Sequence, residues 1–151
     1  QEKQRLRAVY GVREAHLEKL FREAQKYRGI TAATLLQFLE RRLDNAVYRC
    51  GFAPSRSVAR ELVSHGHIDV NGKRVDIPSC RVAIGDIISV HPSSSEHPRL
   101  RELKTSLEKY TPPSWLLVDA EKIKGTMKSL PTPADMEMTF DVGLVVDYYS
   151  K

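Results

Sequence analysis

The chain has 151 residues, and its 24 lysines and arginines against 19 aspartates and glutamates give a formal net charge of +5 at pH 7. Hydrophobic residues make up 41% of the chain, enough to form a packed core, which argues against a wholly disordered protein. No apolar run is long enough to cross a bilayer and no signal-peptide core is visible, so we expect a soluble intracellular protein.

The first part of the chain carries the apolar spacing of amphipathic helices. Apolar residues three and four apart predict one helix over residues 13–28, which ends at a glycine. The same spacing predicts a second helix from the N-cap Thr31 to Gly51, with arginines on its exposed face. A short third helix should follow, with Ser55 as its N-cap and Gly66 as its end.

The pattern then changes to the alternation that is typical of β-strands. Apolar and polar residues alternate over residues 68–77 on both sides of Asn71-Gly72, a pair that favours a two-residue hairpin turn. A further strand is predicted at residues 87–90, and a helix over residues 100–110 follows a loop.

The tail of the chain is less regular than the rest. Residues 115–118 and 144–146 are predicted to form short buried strands or extended segments, separated by a stretch with little periodicity. The elements together predict an α+β fold. It would have a helical first third, a compact unit of two helices and a small antiparallel hairpin sheet over residues 41–90, and a helix plus tail that packs back on the first third.

Enzyme and metal chemistry find little support in the sequence. No phosphate-binding glycine loop and no GxSxG or HExxH motif occurs. Cys50 and Cys80 have no further ligand at metal-binding spacing, which favours two reduced, half-buried thiols. His65 and His67 flank a glycine that ends a helix, so their side chains should point in different directions. We therefore predict no catalytic residue, no metal and no cofactor.

The positive charge is concentrated in one part of the chain. Residues 1–110 hold 20 basic and 13 acidic side chains, whereas residues 111–151 hold 4 and 6. A local excess of basic residues favours an anionic partner, because binding to phosphates releases condensed counterions. A mildly basic solvated surface would have the same composition, so charge alone leaves both interpretations open.

Basic residues of three predicted elements can face one side of the unit over residues 41–90. The guanidinium group suits this purpose, since its planar fork donates two hydrogen bonds to phosphate oxygens and stacks on exposed bases. Surface ion pairs with Glu40, Asp44 and Glu61 are the alternative for individual members. The set comprises Arg41, Arg42, Arg49, Arg56, Arg60, Lys73 and Arg74.

The segment from Arg42 to Val90 resembles a known RNA-binding module. The stretches RLDNAVYRCGFA, SRSVARELVSHGHIDVNGKRVDIPS and GDIISV follow the order and spacing of the module named after small-subunit ribosomal protein four. Pseudouridine synthases, bacterial tyrosyl-tRNA synthetases and a heat-shock ribosome-binding protein also carry this module. The flanking stretches QEKQRLRAVYGV, LLQFLERRLDN and LVVDYYSK resemble the ribosomal protein family itself, so the resemblance covers nearly the whole chain.

The resemblance implies a domain organisation and a function. A mainly helical domain of residues 1–41 and 107–151 would contain an inserted RNA-binding module of residues 42–106. The protein would be a structural constituent of the small subunit of a cytoplasmic or organellar ribosome. It would be a primary rRNA-binding protein that organises a multi-helix junction of the 5′ domain during assembly. The implied partners are small-subunit rRNA, small-subunit ribosomal protein five and messenger RNA where it enters the subunit. No association with a membrane is implied.

The resemblance also implies RNA-contacting residues. Lys3, Arg7 and Tyr10 match the N-terminal RNA-contacting segment of the family, and His67 joins Arg56, Arg60 and Lys73 on the basic face of the module. The predicted rRNA-binding residues are therefore Lys3, Arg7, Tyr10, Arg42, Arg49, Arg56, Arg60, His67, Lys73 and Arg74.

The chain departs from the family pattern in two respects. Pro54, Ser57 and Glu61 stand near the short helix, where bacterial members usually have more basic residues. The strongly basic arm that usually precedes the position of Gln1, and that holds a zinc ion in some members, is not included in the sequence. Two alternatives remain at this point, namely the RNA-binding module of an RNA-modifying enzyme and a stress factor that binds stalled large subunits.

Overall fold

The computed structural model describes residues 2–132 and 142–150, which divide into two compact units. Unit 1 consists of residues 1–40 and 131–151, and unit 2 of residues 41–130. The helices are α1 (Glu2–Tyr10), α2 (Glu14–Gln25), α3 (Thr31–Glu40), α4 (Leu43–Arg49), α5 (Arg56–Ser64), α6 (Leu103–Glu108) and α7 (Val142–Ser150). The strands are β1 (Ile68–Val70), β2 (Lys73–Arg74), β3 (Ile87–Val90), β4 (Leu116–Asp119) and β5 (Lys124–Met127).

Unit 1 is helical and buries the apolar stripes of α1, α2, α3 and α7. Its core includes Leu6, Leu17, Phe21 and Leu39 together with Tyr149 from α7. The ring of Tyr149 stacks on that of Phe21, with 5.1 Å between the centroids. Such aromatic contacts add to the stabilisation from apolar burial, so α7 belongs to the core of this unit.

The prediction of an extended segment at residues 144–146 is wrong, because these residues lie within α7. Val145 and Tyr149 are buried four positions apart, whereas Leu144 and Tyr148 are each 54% exposed. This is helical spacing, but a run of only three apolar residues could not distinguish it from a strand. Packing of α7 on α1 and α3 decides the conformation.

Unit 2 packs a five-stranded antiparallel sheet, in the order β2-β1-β3-β5-β4, against helices. Ile68, Ile88 and Met127 are fully buried from the sheet, and Leu62 of α5 and Trp115 lie in the same core. The expected α+β class is confirmed. The strand β5 was not predicted, since its sequence KGTM has only one strongly apolar side chain.

The sheet also changes the expected domain boundary. Strands β4 and β5 pair with each other and β5 pairs with β3, so residues 107–130 lie in unit 2. The prediction assigned these residues to the helical domain and therefore differs from the observed division. Backbone pairing between segments distant in sequence is the reason, because it leaves little signal in local periodicity.

The prediction of a single helix from Thr31 to Gly51 is also wrong, because the helical backbone is interrupted between α3 and α4. At the break, the amide of Leu43 donates to the carbonyl of Cys80 (2.7 Å), and the amide of Val82 donates to the carbonyl of Arg41 (2.8 Å). These hydrogen bonds replace the backbone hydrogen bonds that a continuous helix would form at these residues. They fix the start of α4 against the loop before β3, and this positions the arginine-bearing elements described below.

The hairpin turn at Asn71-Gly72 is confirmed. Both residues have positive φ, 53° and 81°, as a type I′ turn requires. Strand β2 ends at Arg74, however, so the predicted alternation to Ile77 does not continue as a strand, and Ile77 is 58% exposed. The turn places Lys73 and Arg74 directly after its tip.

Gly125 leaves room on β5 for the buried thiol of Cys50, and we expect Gly125→Ala to destabilise unit 2 by about 1–3 kcal/mol. A Cβ atom at Gly125 would overlap the Sγ atom of Cys50, which is fully buried and whose pKa burial raises to about 12. Urea unfolding followed by the fluorescence of Trp115, the single tryptophan, measures the loss. The double variant with Cys50→Ala should recover part of it, and a G125A protein as stable as wild type would contradict this packing.

Candidate RNA-binding surface

Helix α5 carries two arginines, Arg56 and Arg60, beside its buried face. Ser55 caps the helix, since its Oγ accepts a hydrogen bond from the amide of Val58 at 3.2 Å. Ala59, Leu62 and Val63 are buried. Arg56 and Arg60 lie one turn apart beside this apolar face, where Arg56 is half-buried and Arg60 is exposed.

Helix α4 holds the guanidinium group of Arg56 in place. Its Nε donates to Oδ1 of Asn45 at 2.8 Å, and its Cζ lies 4.6 Å from the ring centroid of Tyr48. A cation over an aromatic face is attracted by the ring quadrupole, and the contact also restricts side-chain rotation. Arg56 is thus pre-ordered before any ligand binds, which lowers the entropy cost of binding.

The hairpin adds basic residues at the other end of α5. Lys73 and Arg74 are exposed, and the Arg74 side chain lies over Gly66, where a Cβ atom would be 3.4 Å from Arg74 Cδ. His67 follows directly and is half-buried, with its Nδ1 2.7 Å from Oγ of Ser94. We call this set the basic strip: Arg56, Arg60, His65, His67, Lys73 and Arg74.

Arg42 and Arg49 do not lie on the exposed face where the sequence placed them. Arg42 is 4% exposed, and its Nε and Nη2 donate to the two carboxylate oxygens of Asp44 at 3.1 and 2.9 Å. Arg49 is 8% exposed, with its guanidinium group 5.9 Å from the ring centroid of Tyr48. The break before α4 turns both side chains inward, so an RNA contact by either one would require its side chain to move outward.

The side chain of Arg41 is also less accessible to an RNA ligand than expected. It is half-buried, and its Nε donates to the carbonyl of Val82 at 2.9 Å. Its guanidinium group thereby reinforces the contact between the start of α4 and the loop before β3.

Unit 1 holds Lys3, Arg7 and Tyr10, the three predicted contacts of the N-terminal segment. Lys3 Nζ lies 2.6 Å from Oε1 of Glu14 and 4.1 Å from the ring centroid of Tyr148. The hydrogen bond to Glu14 raises the pKa of Lys3 and lowers that of Glu14. Arg7 Nη1 reaches the other oxygen of the same carboxylate at 3.4 Å. Lys3 and Arg7 thus form one partly exposed cluster.

Tyr10 is only 2% exposed, and its hydroxyl donates to the carboxylate of Glu40, which is also buried. An RNA contact by its ring or hydroxyl would require this pair to open. Tyr10 therefore serves the core of unit 1 in this structure, and the residue type alone gave no sign of its burial.

Sequence reasoning missed two groups of residues. Asn45 and Tyr48, one turn apart on α4, hold Arg56, and their helical spacing before the short helix was the available signal. The ring of His97 lies at a tilted angle beside that of His67, with 4.4 Å between the centroids, although thirty positions separate the two residues. No local pattern announces a contact over that separation.

Comparisons with known proteins support the same interpretation. Residues 41–88 match the S4 domain family, and residues 1–40 match the ribosomal protein S4/S9 N-terminal domain family. The chain is 47% identical over 150 residues to small ribosomal subunit protein uS4A of Symbiobacterium thermophilum, covering 99% of this chain and 72% of that protein. The chain belongs to the small ribosomal subunit protein uS4 family.

Two further relatives agree with this membership. Small ribosomal subunit protein uS4 of Caldicellulosiruptor saccharolyticus is 48% identical over 99% of this chain and 72% of that protein. The uS4 protein of Fusobacterium nucleatum is 43% identical over 99% of this chain and 75% of that protein. The predicted identity, a structural and non-enzymatic rRNA-binding component of the small ribosomal subunit, is confirmed at this level.

The described part of the chain shows neither a membrane-spanning helix nor a metal-binding cluster. None of its helices combines the length and the apolar character that a bilayer span needs. Among residues 2–132 and 142–150, no group of three or more histidine, cysteine or acidic side chains has metal-binding geometry.

Proposed function

We propose that this uS4 family member organises a multi-helix junction of small-subunit rRNA in the 5′ domain, with the basic strip as its main contact. The observation that carries the proposal is the pre-ordered Arg56, held by Asn45 and Tyr48 beside the N-terminus of α5. That terminus adds backbone amide donors and the positive end of the helix dipole. Guanidinium groups and amide donors together suit phosphate oxygens.

The mechanism we propose is recognition of RNA shape and phosphate position. In A-form RNA the deep, narrow major groove hides base edges, so phosphates and 2′-hydroxyls are the accessible groups. Contacts to phosphates fix the register of a protein on its nucleic acid without reading sequence. A rigid strip would therefore bind one arrangement of helices better than others.

Competition between rRNAs tests this proposal. At physiological salt, unlabelled 5′-domain RNA of the small subunit should displace the same labelled RNA from the protein at a low concentration. Large-subunit RNA should need a far higher concentration to displace it. Equal competition by the two RNAs would contradict the proposal, because it would reduce binding to non-specific charge neutralisation. Preference for large-subunit RNA would favour the alternative of a stress factor.

We propose small-subunit ribosomal protein five as a protein partner, bound at the outer face of the sheet. Ile87 and Leu117 both pair across the sheet with Thr126, so the three side chains form one row on that face. Ile87 is 38% and Leu117 61% exposed. Exposed apolar rows of this kind are typical of protein contact sites.

Titration calorimetry with the purified partner tests this contact. Leu117→Ser should weaken binding at least about tenfold if the row is a central part of the interface. Ile30→Ser is the matched control, since Ile30 is a 75% exposed isoleucine of unit 1. Equal affinity of L117S and wild type would place the contact elsewhere.

We propose that messenger RNA passes near this protein where it enters the subunit, and that the ribosome is cytoplasmic. Crosslinking of a messenger RNA on programmed small subunits should recover this chain. Loss of that crosslink with a message too short to reach the entrance is the control, and no crosslink with either message would contradict the contact.

A further inference from the structure

A histidine-lined cavity lies at the C-terminal end of α5. Its volume is about 370 Å³, and it holds three of the five histidines of the chain. Arg74 of the basic strip reaches its edge, so the cavity continues the surface proposed to bind RNA. The lining residues used below are His65, His67, Arg74, Ser94, Glu96 and His97.

The three imidazole rings lie close to one another in this cavity. The centroid of the His67 ring is 4.4 Å from that of His97 and 6.4 Å from that of His65. Nδ1 of His67 is 2.7 Å from the hydroxyl of Ser94, and Nδ1 of His97 accepts from the amide of Arg99 at 3.2 Å. These bonds occupy Nδ1 of both rings, so a ligand would meet the opposite nitrogen, Nε2.

The surroundings of His67 oppose a positive charge on its ring. Burial, His97, His65 and Arg74 lower its pKa, in that order of importance. The carboxylate of Glu96 lies at the exposed rim of the cavity. On the sheet side, the amide of His91 donates to the carbonyl of His67, while the His91 ring is paired with Asp69 at 2.8 Å. The negative charge of Asp69 therefore acts mainly on the ring of His91.

An anion in the cavity would change this balance. A phosphate group near Arg74 and the imidazoles would compensate their mutual repulsion and favour the protonated rings. A group whose pKa rises on binding takes up a proton, and the complex then strengthens as pH falls through that range. The phosphodiester itself stays ionised at pH 5.5–8, so the dependence would come from histidine.

We propose that this cavity binds a backbone phosphate of RNA and that its histidines take up a proton on binding, which makes RNA affinity rise at mildly acidic pH. The assignment to RNA rests on the proposed function. Beyond the proposed function, this adds the phosphate site itself, the participation of His97 and the link to protons.

RNA affinity against pH tests the proposal. Fluorescence anisotropy with a labelled 5′-domain rRNA fragment, at constant ionic strength between pH 8 and pH 5.5, should show about a tenfold gain for the wild type. The variant His65→Gln/His67→Gln/His97→Gln should gain less than about threefold on the same RNA. His16→Gln removes an imidazole from unit 1 and should match the wild type. Parallel curves for the wild type and the triple variant would overturn the proposal.

A second measurement separates folding from binding. The single variant His97→Gln keeps the hydrogen bond between His67 and Ser94, and circular dichroism shows whether each variant is folded. In histidine NMR titrations of the wild type, RNA should raise the pKa of His67, and an unmoved pKa would overturn the proposal. Sulfate, which does not titrate in this range, identifies a general oxyanion site. A rise in the pKa of His67 with sulfate but not with RNA would overturn the assignment to RNA.

The two proposals fail in different ways. If wild-type protein shows no preference for small-subunit RNA at pH 8, the proposed function fails. If that preference is intact at pH 8 and the wild type and triple variant share one pH dependence, only the proton-linked phosphate site fails.

Discussion

Replacing Arg56 and Arg60 together with alanine is expected to weaken binding of small-subunit rRNA and to reduce the slope of log affinity against log salt by about one to two units. Arg60 is exposed on α5, and Arg56, one turn before it, is half-buried and already ordered on Tyr48. With each phosphate contact that is lost, RNA binding releases fewer counterions, and the slope therefore decreases. Filter binding at four salt concentrations measures both quantities.

The matched control removes two other positive charges of unit 2. Lys104 and Lys109 are exposed at α6, and Lys104 is paired with Glu121 at 2.8 Å. The variant Lys104→Ala/Lys109→Ala has the same net charge as the double arginine variant and should keep the wild-type slope. An unchanged slope in the arginine variant would remove α5 from the RNA interface.

The largest effect on stability is expected from Asp44→Ala, at about 3–5 kcal/mol. Asp44 is 3% exposed and neutralises the buried guanidinium group of Arg42 through two hydrogen bonds. Its Oδ1 also accepts from the amide of Asn45 at 2.7 Å, in the first turn of α4. Removal of the carboxylate leaves a buried positive charge uncompensated, and urea unfolding followed by Trp115 fluorescence measures the cost.

Two comparison variants make this prediction specific. Arg42→Met/Asp44→Leu removes both charges and should recover most of the lost stability, because well-packed apolar residues can replace a buried pair. Lys104→Ala breaks an exposed pair and should cost no more than about 1 kcal/mol. If Asp44→Ala were no more destabilising than Lys104→Ala, Arg42 would have access to solvent, and its prediction as an RNA contact would regain support.

Local signals in the sequence predicted the parts of unit 2 that bear the basic strip. The cap at Ser55, the turn at Asn71-Gly72 and the spacing of Arg56 and Arg60 depend on neighbours within a few positions. The strip inherits its geometry from these elements. This explains why the elements that carry the proposed RNA contacts could be anticipated without the structure.

Burial of the remaining predicted residues could not be anticipated. Arg42 and Arg49 were assigned to an exposed helix face, but the break before α4 depends on hydrogen bonds to residues about forty positions away. Tyr10 is buried by its contact with Glu40. Strand β5 depends on pairing with β3 and β4. In each case the deciding partner is distant in sequence, and periodicity carries no information about it.

Hydroxyl-radical footprinting of small-subunit rRNA, with wild-type protein and with the Arg56→Ala/Arg60→Ala variant, tests the central claim most directly. The wild type should protect backbone positions that converge on one multi-helix junction of the 5′ domain. The variant should lose a contiguous subset of these protections at the same protein concentration. Protection dispersed along the RNA, or an identical footprint for both proteins, would contradict recognition of one junction by the basic strip.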